Sequence, residues 1–299
     1  MPEEVLSPGR QLRNSAAVGT LKVPGALNAL VGRLIETSGF SAAYLSGAAL
    51  SAGVMALPDI GLFTQTELVQ QTGYLTQAVE IPVIVDADTG FGEAINVERT
   101  VVELESVGAA AIQLEDQRLP KRCGHLSGKQ LVTTEEMCSK IRAAVAARSD
   151  PDLVILARTD ARGVDSMEDA MARAQAYLDA GADWIFPEAL ENEAEFEQFS
   201  QTISAPLVAN MTEFGKSPLL DFDTFQDLGY AAVLYPVTLS RVAMKAVEAA
   251  LAIIDMEPNQ ESLLDLMQTR QELYDLIGYL EYDERDKEYF GLNNHGNPS

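Results

Sequence analysis

Short apolar runs alternate along this chain with longer stretches in which apolar residues recur at helical spacing. Residues 26–37 predict the first clear helix, with an apolar face made of Leu27, Leu30, Val31, Leu34 and Ile35. Glycine tolerates the left-handed conformation that ends many helices, and predicted helices end at Gly39, Gly108, Gly181 and Gly229. A short apolar run follows each of these glycines, which predicts a helix-to-strand connection that repeats along the chain.

Three further apolar runs begin directly after a proline, at Pro82, Pro151 and Pro206. Proline fits the first residue of a strand because no ladder donor is needed there. With a weaker candidate at residues 21–24, the pattern predicts eight strands. The intervening helices include residues 96–107, 134–147, 166–180 and 240–254. Such alternation predicts a parallel α/β sheet, and eight strands favour a closed (β/α)8 TIM-type barrel. A doubly wound sheet is the alternative, but no glycine-rich phosphate turn follows the first strand.

We predict one barrel domain over residues 1–299, with a C-terminal helical extension from about residue 255. Residues 255–260 read as a linker, and residues 263–282 read as one helical segment. That segment is apolar enough to pack on the barrel or on another subunit. Residues 283–299 are polar and are expected to fray.

Composition and charge narrow the class of protein. The chain has 299 residues, of which 47% are hydrophobic, enough for a large core. No apolar run reaches the roughly 18 residues of a membrane span, and the N-terminus lacks the apolar core of a signal peptide. Two cysteines give no disulfide framework, which favours a reducing cytoplasm. The net charge of −24 argues against nucleic acid or an anionic membrane as a partner, so cations that bind an anionic substrate must be gathered locally.

Polar residues stand at the carboxyl ends of the predicted strands, where both α/β folds place their chemistry. They are Ser46-Gly47, Asp86 with Asp88, Glu115-Asp116, Arg158 with Asp160, Glu188, and Asn210 with Thr212, and Arg241 follows the last strand. A single polar strand end is a solvated turn. Six of them in register around a barrel indicate a functional site.

Asp86 and Asp88 are two residues apart, so their side chains leave the same face of a strand. Paired carboxylates at a barrel mouth suit a hard divalent cation, of which Mg²⁺ is the best candidate. Because Mg²⁺ keeps several waters, Asp59 and Glu115 are candidates to bind it through water. An Asx turn with a helix cap is the alternative reading, since Thr89-Gly90 follows the pair.

Residues 121–125, Lys-Arg-Cys-Gly-His, combine two cations, a thiol, a flexible glycine and an imidazole. Cations beside a thiol lower its pKa, so Cys123 is predicted to exchange a proton with substrate near neutral pH. A solvated basic loop with an incidental cysteine is the alternative. His125 is predicted to orient a carboxylate or a bound anion. Cys138 reads as a packing residue, and His295, in the tail, as inert.

Three arginines are candidates for substrate carboxylates because a planar guanidinium binds a carboxylate through two donors. Arg158 is favoured because it ends a strand. Arg241 reads equally as a substrate contact or a surface ion pair. Arg270, by sequence alone, reads as a helix-surface residue.

Four segments together resemble the isocitrate lyase/phosphoenolpyruvate mutase superfamily: residues 121–125, 85–92, 44–47 and 157–160. The similarity runs from about residue 8 to about residue 285 and includes residues 267–270. The resemblance implies a (β/α)8 barrel whose eighth helix is exchanged with a neighbouring subunit in a homotetramer. It also implies Mg²⁺-dependent cleavage of a tricarboxylate, 2-methylisocitrate, to pyruvate and succinate.

The resemblance further implies roles for individual residues. Asp86 and Asp88 would be the metal carboxylates, and Cys123 and Gly124 would lie on a closing loop, with Cys123 as the general acid. Substrate contacts would come from Ser46, Gly47, Ala48, Cys123, Gly124, Arg158, Glu188, Asn210, Thr212, Arg241 and Arg270. Ala48 departs from the family pattern, which has more glycine there. Tyr44 is placed near the substrate hydroxyl, and the general base is left unassigned.

Other functions remain open at this point. Isocitrate lyase, oxaloacetate decarboxylase and phosphonopyruvate-type enzymes share the barrel, and a non-catalytic metal-binding barrel belongs to another class. The decarboxylase and phosphonopyruvate chemistries have no evident need of a cysteine acid. Isocitrate lyases usually carry Lys-Lys-Cys and long insertions, both absent here. The full set of metal, acid and arginine positions argues against a non-catalytic barrel.

Overall fold

The computed structural model describes residues 6–291 and divides the chain into two compact units, one ending at Val242 and one beginning at Ala243. Within the described part of the first unit, eight strands form. They are β1 (Leu21–Pro24), β2 (Ala43–Leu45), β3 (Val83–Asp86), β4 (Ala111–Glu115), β5 (Val154–Thr159), β6 (Trp184–Pro187), β7 (Val208–Asn210) and β8 (Ala232–Tyr235).

Helices alternate with these strands. They are α1 (Pro8–Val18), α2 (Ala29–Thr37), α3 (Gly47–Met55), α4 (Gln65–Ala78), α5 (Ala94–Ser106), α6 (Thr134–Ala147), α7 (Met167–Asp179), α8 (Glu193–Thr202), α9 (Phe222–Asp227) and α10 (Thr238–Met256), which crosses the boundary between the units. None of the helices within residues 6–291 combines the length and apolarity that a bilayer span requires.

The eight strands are parallel and close into a barrel. β2 to β6 pair in sequence order, and β8 pairs with both β1 and β7. Two short bridges join these groups, Gly25 with Tyr44 and Ile185 with Leu207. Hydrogen bonds support both closures: Ala26 N donates to Tyr44 O at 2.8 Å and Ile185 N to Pro206 O at 3.0 Å. The predicted (β/α)8 barrel is therefore confirmed, and the doubly wound sheet is wrong because it would leave open edges.

Alternation along each strand divides the core into two layers. On β5, Val154 and Leu156 pack in the barrel interior, whereas Ile155 and Ala157 pack in the layer between strands and helices. Leu12 of α1 is fully buried among the interior residues. Both layers are apolar because every strand of a parallel barrel is covered on both faces.

The predicted glycine helix ends are observed. Gly108 and Gly181 have φ values of 92° and 108°, which an L residue adopts only with strain. At the other end of a helix, Thr133 forms a capping box with Glu136: Glu136 N donates to Thr133 Oγ1 at 3.2 Å, and Thr133 N to Glu136 Oε2 at 2.7 Å. This cap fixes where α6 begins and thus where the long polar loop after β4 ends.

An ion-pair network lies at the amino-terminal end of the strands. Asp183 Oδ1 contacts Arg13 Nη2 at 2.8 Å, and its Oδ2 accepts hydrogen bonds from Arg148 and from Ile155 N, the latter at 2.9 Å. Nearby, Arg10 Nε donates to Asp152 at 2.7 Å. Both oxygens of Asp183 are therefore bonded.

The second unit holds the end of α10, a 3-10 turn at Glu261–Leu266, α11 (Arg270–Ile277) and α12 (Tyr279–Tyr289). The prediction of one helix over residues 263–282 is wrong, because Thr269 caps a new helix and Gly278, with a φ of 67°, ends it. The predicted fraying from residue 283 is also wrong up to Tyr289. His295 lies outside the described residues. The single domain with an extension from about residue 255 stays a prediction.

Candidate active site

Strand alternation carries polar side chains into the barrel interior at its carboxyl end. On β5, the side chain of Leu156 faces the barrel interior. Arg158 follows two residues later on the same strand, so its side chain points to the same side. A cavity forms there. Of the residues predicted from sequence, its lining includes Tyr44, Ser46, Ala48, Asp59, Asp86, Cys123, Gly124, His125, Arg158, Glu188, Asn210, Thr212 and Arg241. The structure thus brings together residues from six of the eight strand ends described, those of β2, β3, β5, β6, β7 and β8, with the loop after β4.

The first turn of α3 is pressed against the aspartate pair. Ser46 caps this helix, its Oγ accepting a hydrogen bond from Ala49 N at 3.3 Å, and Gly47 N donates to Asp86 Oδ2 at 3.1 Å. A Cβ at Gly47 would lie 3.2 Å from carboxylate oxygens of both Asp86 and Asp88. Glycine at this position therefore lets two carboxylates approach the positive end of a helix.

The two aspartates differ in how their oxygens are satisfied. Asp86 Oδ1 accepts hydrogen bonds from Gln113 Nε2 at 3.0 Å and from Asp88 N at 3.3 Å, so the predicted Asx turn is present. Asp88 has a φ of 48° and contacts Lys121 Nζ at 2.8 Å through Oδ1. Within residues 6–291, nothing donates a hydrogen bond to Asp88 Oδ2 or to Glu115 Oε1. Buried carboxylate oxygens without a donor indicate a ligand position.

Burial disfavours ionised carboxyl groups in this cluster. It raises the pKa of Asp88 to about 7, with Lys121 acting in the opposite direction and Asp86 adding repulsion. Burial also raises the pKa of Glu115 well above its ordinary value, although Arg158 opposes it. Burial alone would lower the pKa of Lys121, but Asp88, Glu115 and Asp59 raise it, so the ammonium remains charged.

The donor set fits Mg²⁺. Asp86 and Asp88 direct hard carboxylate oxygens toward one region, and Asp88 and Glu115 each keep an oxygen without a hydrogen-bond donor in the described chain. Over residues 6–291, no three His, Cys, Asp or Glu side chains converge as a metal cage. Magnesium suits such an open site because it retains several waters and takes substrate oxygens. The roles of Asp59 and Glu115 through water stay predictions.

The loop between β4 and α6 lies over the cavity. Lys121 Nζ forms ion pairs with Asp59 and Asp88, and Gln117 and Arg122 exchange two hydrogen bonds at 2.8 and 2.9 Å at the base of the loop. Gly124 fits tightly, since a Cβ there would lie 2.4 Å from Glu188 Cγ and 2.5 Å from an Arg158 nitrogen. Glycine is thus required for this close approach.

His125 joins the loop to two barrel elements. Its Nδ1 accepts a hydrogen bond from Lys216 N at 2.9 Å, and its Nε2 lies 3.2 Å from Glu188 Oε1. An accepting Nδ1 carries no proton, so the neutral ring has its proton on Nε2, facing the carboxylate. The imidazole therefore stands beside Glu188, although the angle at Nε2 does not allow a hydrogen bond between them.

The thiol of Cys123 is half-buried in the cavity wall. The prediction of a lowered pKa is wrong: burial raises the pKa of Cys123, a backbone hydrogen bond from His125 opposes this, and the charges of Glu188 and Arg158 act in opposite directions. The adjacent Lys121 does not stabilise a thiolate because its ammonium is paired with other carboxylates. The proton consequently stays on sulfur at neutral pH, as a proton donor requires.

Arg158 is locked among carboxylates. Its Nε donates to Asp160 Oδ2 at 2.9 Å, and its Nη1 lies 3.0 Å from Glu188 Oε2. Glu115 Oε2 is 3.4 Å from Nε, and the ring of Phe186 lies 5.2 Å from Cζ. Burial would raise the pKa of Glu188, but Arg158 and His125 hold it well below its ordinary value. The guanidinium is thus a fixed cation beside the cavity.

The far side of the cavity carries Asn210, Thr212 and Arg241. Asn210 Nδ2 donates to Glu188 Oε2 at 3.2 Å, and Asn210 Oδ1 has no partner in the described chain. Arg241 is 44% exposed and its Nη1 contacts Glu213 O at 2.6 Å and Glu213 Oε2 at 3.0 Å. One guanidinium edge therefore remains at the cavity rim.

Tyr44 lies at the floor of the cavity. Its hydroxyl donates to Gln113 Oε1 at 2.9 Å, and burial together with Asp86 raises its pKa well above the ordinary value. The phenol therefore remains protonated. Arg270 belongs to the second unit, so its place in the site stays a prediction.

Sequence reasoning missed the roles of several residues of the site. Asp160 stood among the predicted polar strand ends without a role, although it follows Arg158 at the same spacing of two that singled out Asp86 and Asp88. Lys121 was read only as a neighbour of the thiol. Phe186 and Leu234 line the cavity as apolar inward residues, and an apolar strand residue carries no chemical signal.

A closed parallel barrel with a charged cavity at its carboxyl end defines a (β/α)8-barrel enzyme. The family model for phosphoenolpyruvate phosphomutase matches residues 10–254, and the chain belongs to that family. It is 54% identical over 287 residues to the 2-methylisocitrate lyase of Aeropyrum pernix, covering 96% of this chain and 92% of that protein. The superfamily resemblance of the sequence is confirmed.

Two solved structures support the same assignment of fold. The crystal structure of a 2,3-dimethylmalate lyase, a phosphoenolpyruvate mutase/isocitrate lyase superfamily member, matches with a TM-score of 0.90 at 32% identity, covering 98% of this chain and 99% of that one. A phosphonopyruvate hydrolase in complex with oxalate and Mg²⁺ matches with a TM-score of 0.85 at 31% identity, covering 95% and 99%.

Proposed function

We propose that this protein is a carbon–carbon lyase that cleaves 2-methylisocitrate to pyruvate and succinate, a step of propionate catabolism in the methylcitrate cycle. The observation that carries the proposal is one cavity lined by the Cys123 thiol, the Asp86 carboxylate and the buried Arg158, with Asp88 beside Asp86 at the first turn of α3. The identity of 54% to a 2-methylisocitrate lyase supports the choice of substrate.

Cleavage is a retro-aldol step in which the substrate hydroxyl loses a proton and the C–C bond breaks toward the succinate-forming carbon. Asp86 and Asp88 would hold Mg²⁺, which when bound would supply Lewis-acid stabilisation for oxygens of the pyruvate-forming half. Arg158, fixed by Asp160 and Glu188, adds a cation that needs no reorganisation during the reaction. The amino-terminal turn of α3, from Ser46 to Ala48, faces the same half of the substrate.

We place Tyr44 near the substrate hydroxyl, where its phenolic oxygen can accept a hydrogen bond while its proton is donated to Gln113. Its raised pKa keeps the phenolic proton in place, so it does not serve as the base. The general base is left unassigned.

Cys123 delivers the proton that completes succinate. Its thiol is protonated at neutral pH, and the loop from β4 to α6 excludes water that would otherwise compete as a donor. His125 and Gly124 let the loop approach Glu188 and Arg158 closely. The thiol therefore faces the cavity when the loop is closed.

We assign the succinate-forming half to Arg241, Asn210 and Thr212. The exposed edge of the Arg241 guanidinium can donate two hydrogen bonds to a substrate carboxylate. Asn210 Oδ1 is free to accept a hydrogen bond from the substrate. Glu188 orients both Asn210 and Arg158, so it links the two halves of the pocket.

We further propose a cytoplasmic homotetramer with an exchanged eighth helix. Along α10, Val247, Leu251 and Ile254 are 49%, 60% and 58% exposed in the single chain, an apolar face suited to a neighbouring subunit. Free thiols at Cys123 and Cys138 suit a reducing compartment. Light scattering that gives the mass of one chain would contradict the tetramer.

The decisive experiment is a coupled assay for pyruvate release from 2-methylisocitrate, with isocitrate as the matched substrate lacking one methyl group. We expect a preference of about 10- to 200-fold in kcat/KM, the discrimination one such group supports. Cys123→Ser protein, purified identically, controls for contaminating lyase. A ratio at or below unity would refute the substrate assignment.

A further inference from the structure

Lys129 is a buried cation that neither the metal nor the substrate assignment uses. Its side chain is 1% exposed, and its Nζ lies 2.7 Å from Asp160 Oδ1 and donates a hydrogen bond to the carbonyl oxygen of Gly124. Gly163 stands behind it, since a Cβ there would lie 3.0 Å from Nζ. The ammonium is therefore enclosed on several sides.

The partner of Lys129 is also the partner of the substrate arginine. Asp160 is fully buried and accepts hydrogen bonds from Arg158 Nε at 2.9 Å and from Arg158 Nη2 at 3.2 Å. Its own backbone N donates to Asp116 Oδ1 at 2.9 Å, which fixes its position on the barrel. One carboxylate thus connects Arg158 to Lys129, and Lys129 connects it to the residue after Cys123.

We propose that Lys129 is the positioning residue that latches the closing loop, by tying the Gly124 carbonyl to the aspartate that holds Arg158. A buried ammonium is costly without partners; the Gly124 carbonyl belongs to the same loop as Lys129, and the ion pair with Asp160 is the contact that joins this loop to the barrel. Closure of the loop then aligns the Cys123 thiol with the Arg158 guanidinium in the same step. The proposal rests on the proposed role of Cys123 as the acid.

Lys129 differs from the other two loop anchors. Lys121 contacts a proposed metal ligand, Asp88, and His125 contacts Glu188 in the pocket wall, so their loss would disturb binding as well as closure. Apart from the Gly124 carbonyl oxygen, Lys129 contacts no proposed metal or substrate group directly. Its removal is therefore expected to lower kcat far more than it raises KM.

The first test measures how fast iodoacetamide alkylates each cysteine, read by peptide mass spectrometry, in the parent and in Lys129→Met. A hydrogen bond to a charged group corresponds to about a 10- to 100-fold change in an opening equilibrium, so Cys123 should react faster by that factor. Cys138, buried in α6, is the internal control and should not change. The measurement is made on the protein alone and again with Mg²⁺, pyruvate and succinate.

Matched variants separate the latch from a general loss of a buried charge. Lys140→Met removes another buried lysine, whose Nζ donates to the Thr89 carbonyl oxygen, and should leave Cys123 alkylation unchanged. Lys129→Arg keeps the charge and should restore most of the protection. If Lys129→Met does not fold, which faster alkylation of Cys138 would reveal, Lys129→Gln takes its place.

Steady-state kinetics complete the test. A displacement of the acid by about 1 Å is expected to lower kcat roughly 10²-fold in the neutral variant, with a smaller change in KM. Equal Cys123 alkylation in parent and neutral variant, in both conditions, would overturn the latch. Because alkylation needs no turnover, this result is distinct from a failure of the proposed reaction.

Discussion

At the amino-terminal end of the barrel, Asp183 bonds Arg13, Arg148 and a backbone N–H with its two oxygens. At the carboxyl-terminal end, Asp88 and Glu115 are more deeply buried, yet each leaves one oxygen without a donor in the described chain. Both ends contain buried or half-buried carboxylates in the same fold. Only one end has its hydrogen bonds completed by the protein itself.

The difference separates structural charge from functional charge. A carboxylate whose oxygens are all bonded contributes to stability and has nothing left to offer a ligand. A buried oxygen without a donor costs free energy, and the fold tolerates it where a ligand completes the bonds. Substitutions at the two ends should therefore have opposite effects on activity and on stability.

The largest expected effect is on activity at the carboxyl-terminal end. Asp88→Asn should lower kcat/KM by about 10³-fold or more, since Lewis-acid stabilisation is worth several kcal/mol. Chelator should abolish turnover of the parent, and Mg²⁺ should restore it. The melting temperature should change little, because Lys121 keeps Asp59 as a partner. Full activity of the variant in chelator would exclude this metal site.

Cys123→Ser should lower kcat by about 10²- to 10⁴-fold, because a serine hydroxyl is a far weaker acid than a thiol. The two side chains are similar in size and the position is half-buried, so the free energy of unfolding should stay close to that of the parent. The measurement is single-turnover product formation beside a urea unfolding curve. Parent-like turnover would mean that the proton comes from another group.

Asp183→Asn should show the reverse behaviour. Loss of a charged acceptor that binds two arginines is expected to lower the free energy of unfolding by about 1–3 kcal/mol. Because Asp183 lies at the opposite end of the strands from the cavity, kcat should remain at the parent value. Urea unfolding and the pyruvate assay on one preparation check both points. A variant that loses activity while keeping its stability would reverse the comparison.

The last expected effect is on stability alone, as a dependence of the free energy of unfolding on pH in the metal-free protein. The pKa of Asp88 is about 7 in the folded state against an ordinary 3.8, so the folded state binds the extra proton between these values. Its contribution to stability is therefore full below 3.8 and is lost as pH rises through 7, at a rate on the order of 1 kcal/mol per pH unit. Asp88→Asn should lack this slope. Identical slopes in parent and variant would show that Asp88 does not titrate there.

Local patterns made most of the barrel predictable from sequence. The weak strand at residues 21–24 and the proline-led strands all formed, because apolar runs and helix-ending glycines act over a few residues. The alternation of side chains along β5 that places Leu156 in the barrel interior also places Arg158 at the cavity. The strand-end residues could thus be read from spacing alone.

Contacts between distant segments could not be read in this way. Lys121 contacts Asp59, 62 residues away in the chain, so no local pattern showed that this cation is unavailable to the neighbouring thiol. The pKa of Cys123 depends on how deeply the loop buries it, which is a property of the closed fold. The break of the C-terminal helix at Gly278 was missed because the apolar spacing continues across it.

At Gly124, the addition of one methyl group is enough to prevent the loop between β4 and α6 from closing on the barrel. A Cβ at this position would lie 2.4 Å from Glu188 and 2.5 Å from Arg158, so a single methyl group would separate the loop between β4 and α6 from the barrel. Gly124→Ala is expected to keep this loop open while Asp86, Asp88 and Arg158 are all retained. In this open form substrate would bind but would not be cleaved. The complex that precedes loop closure could then be crystallised.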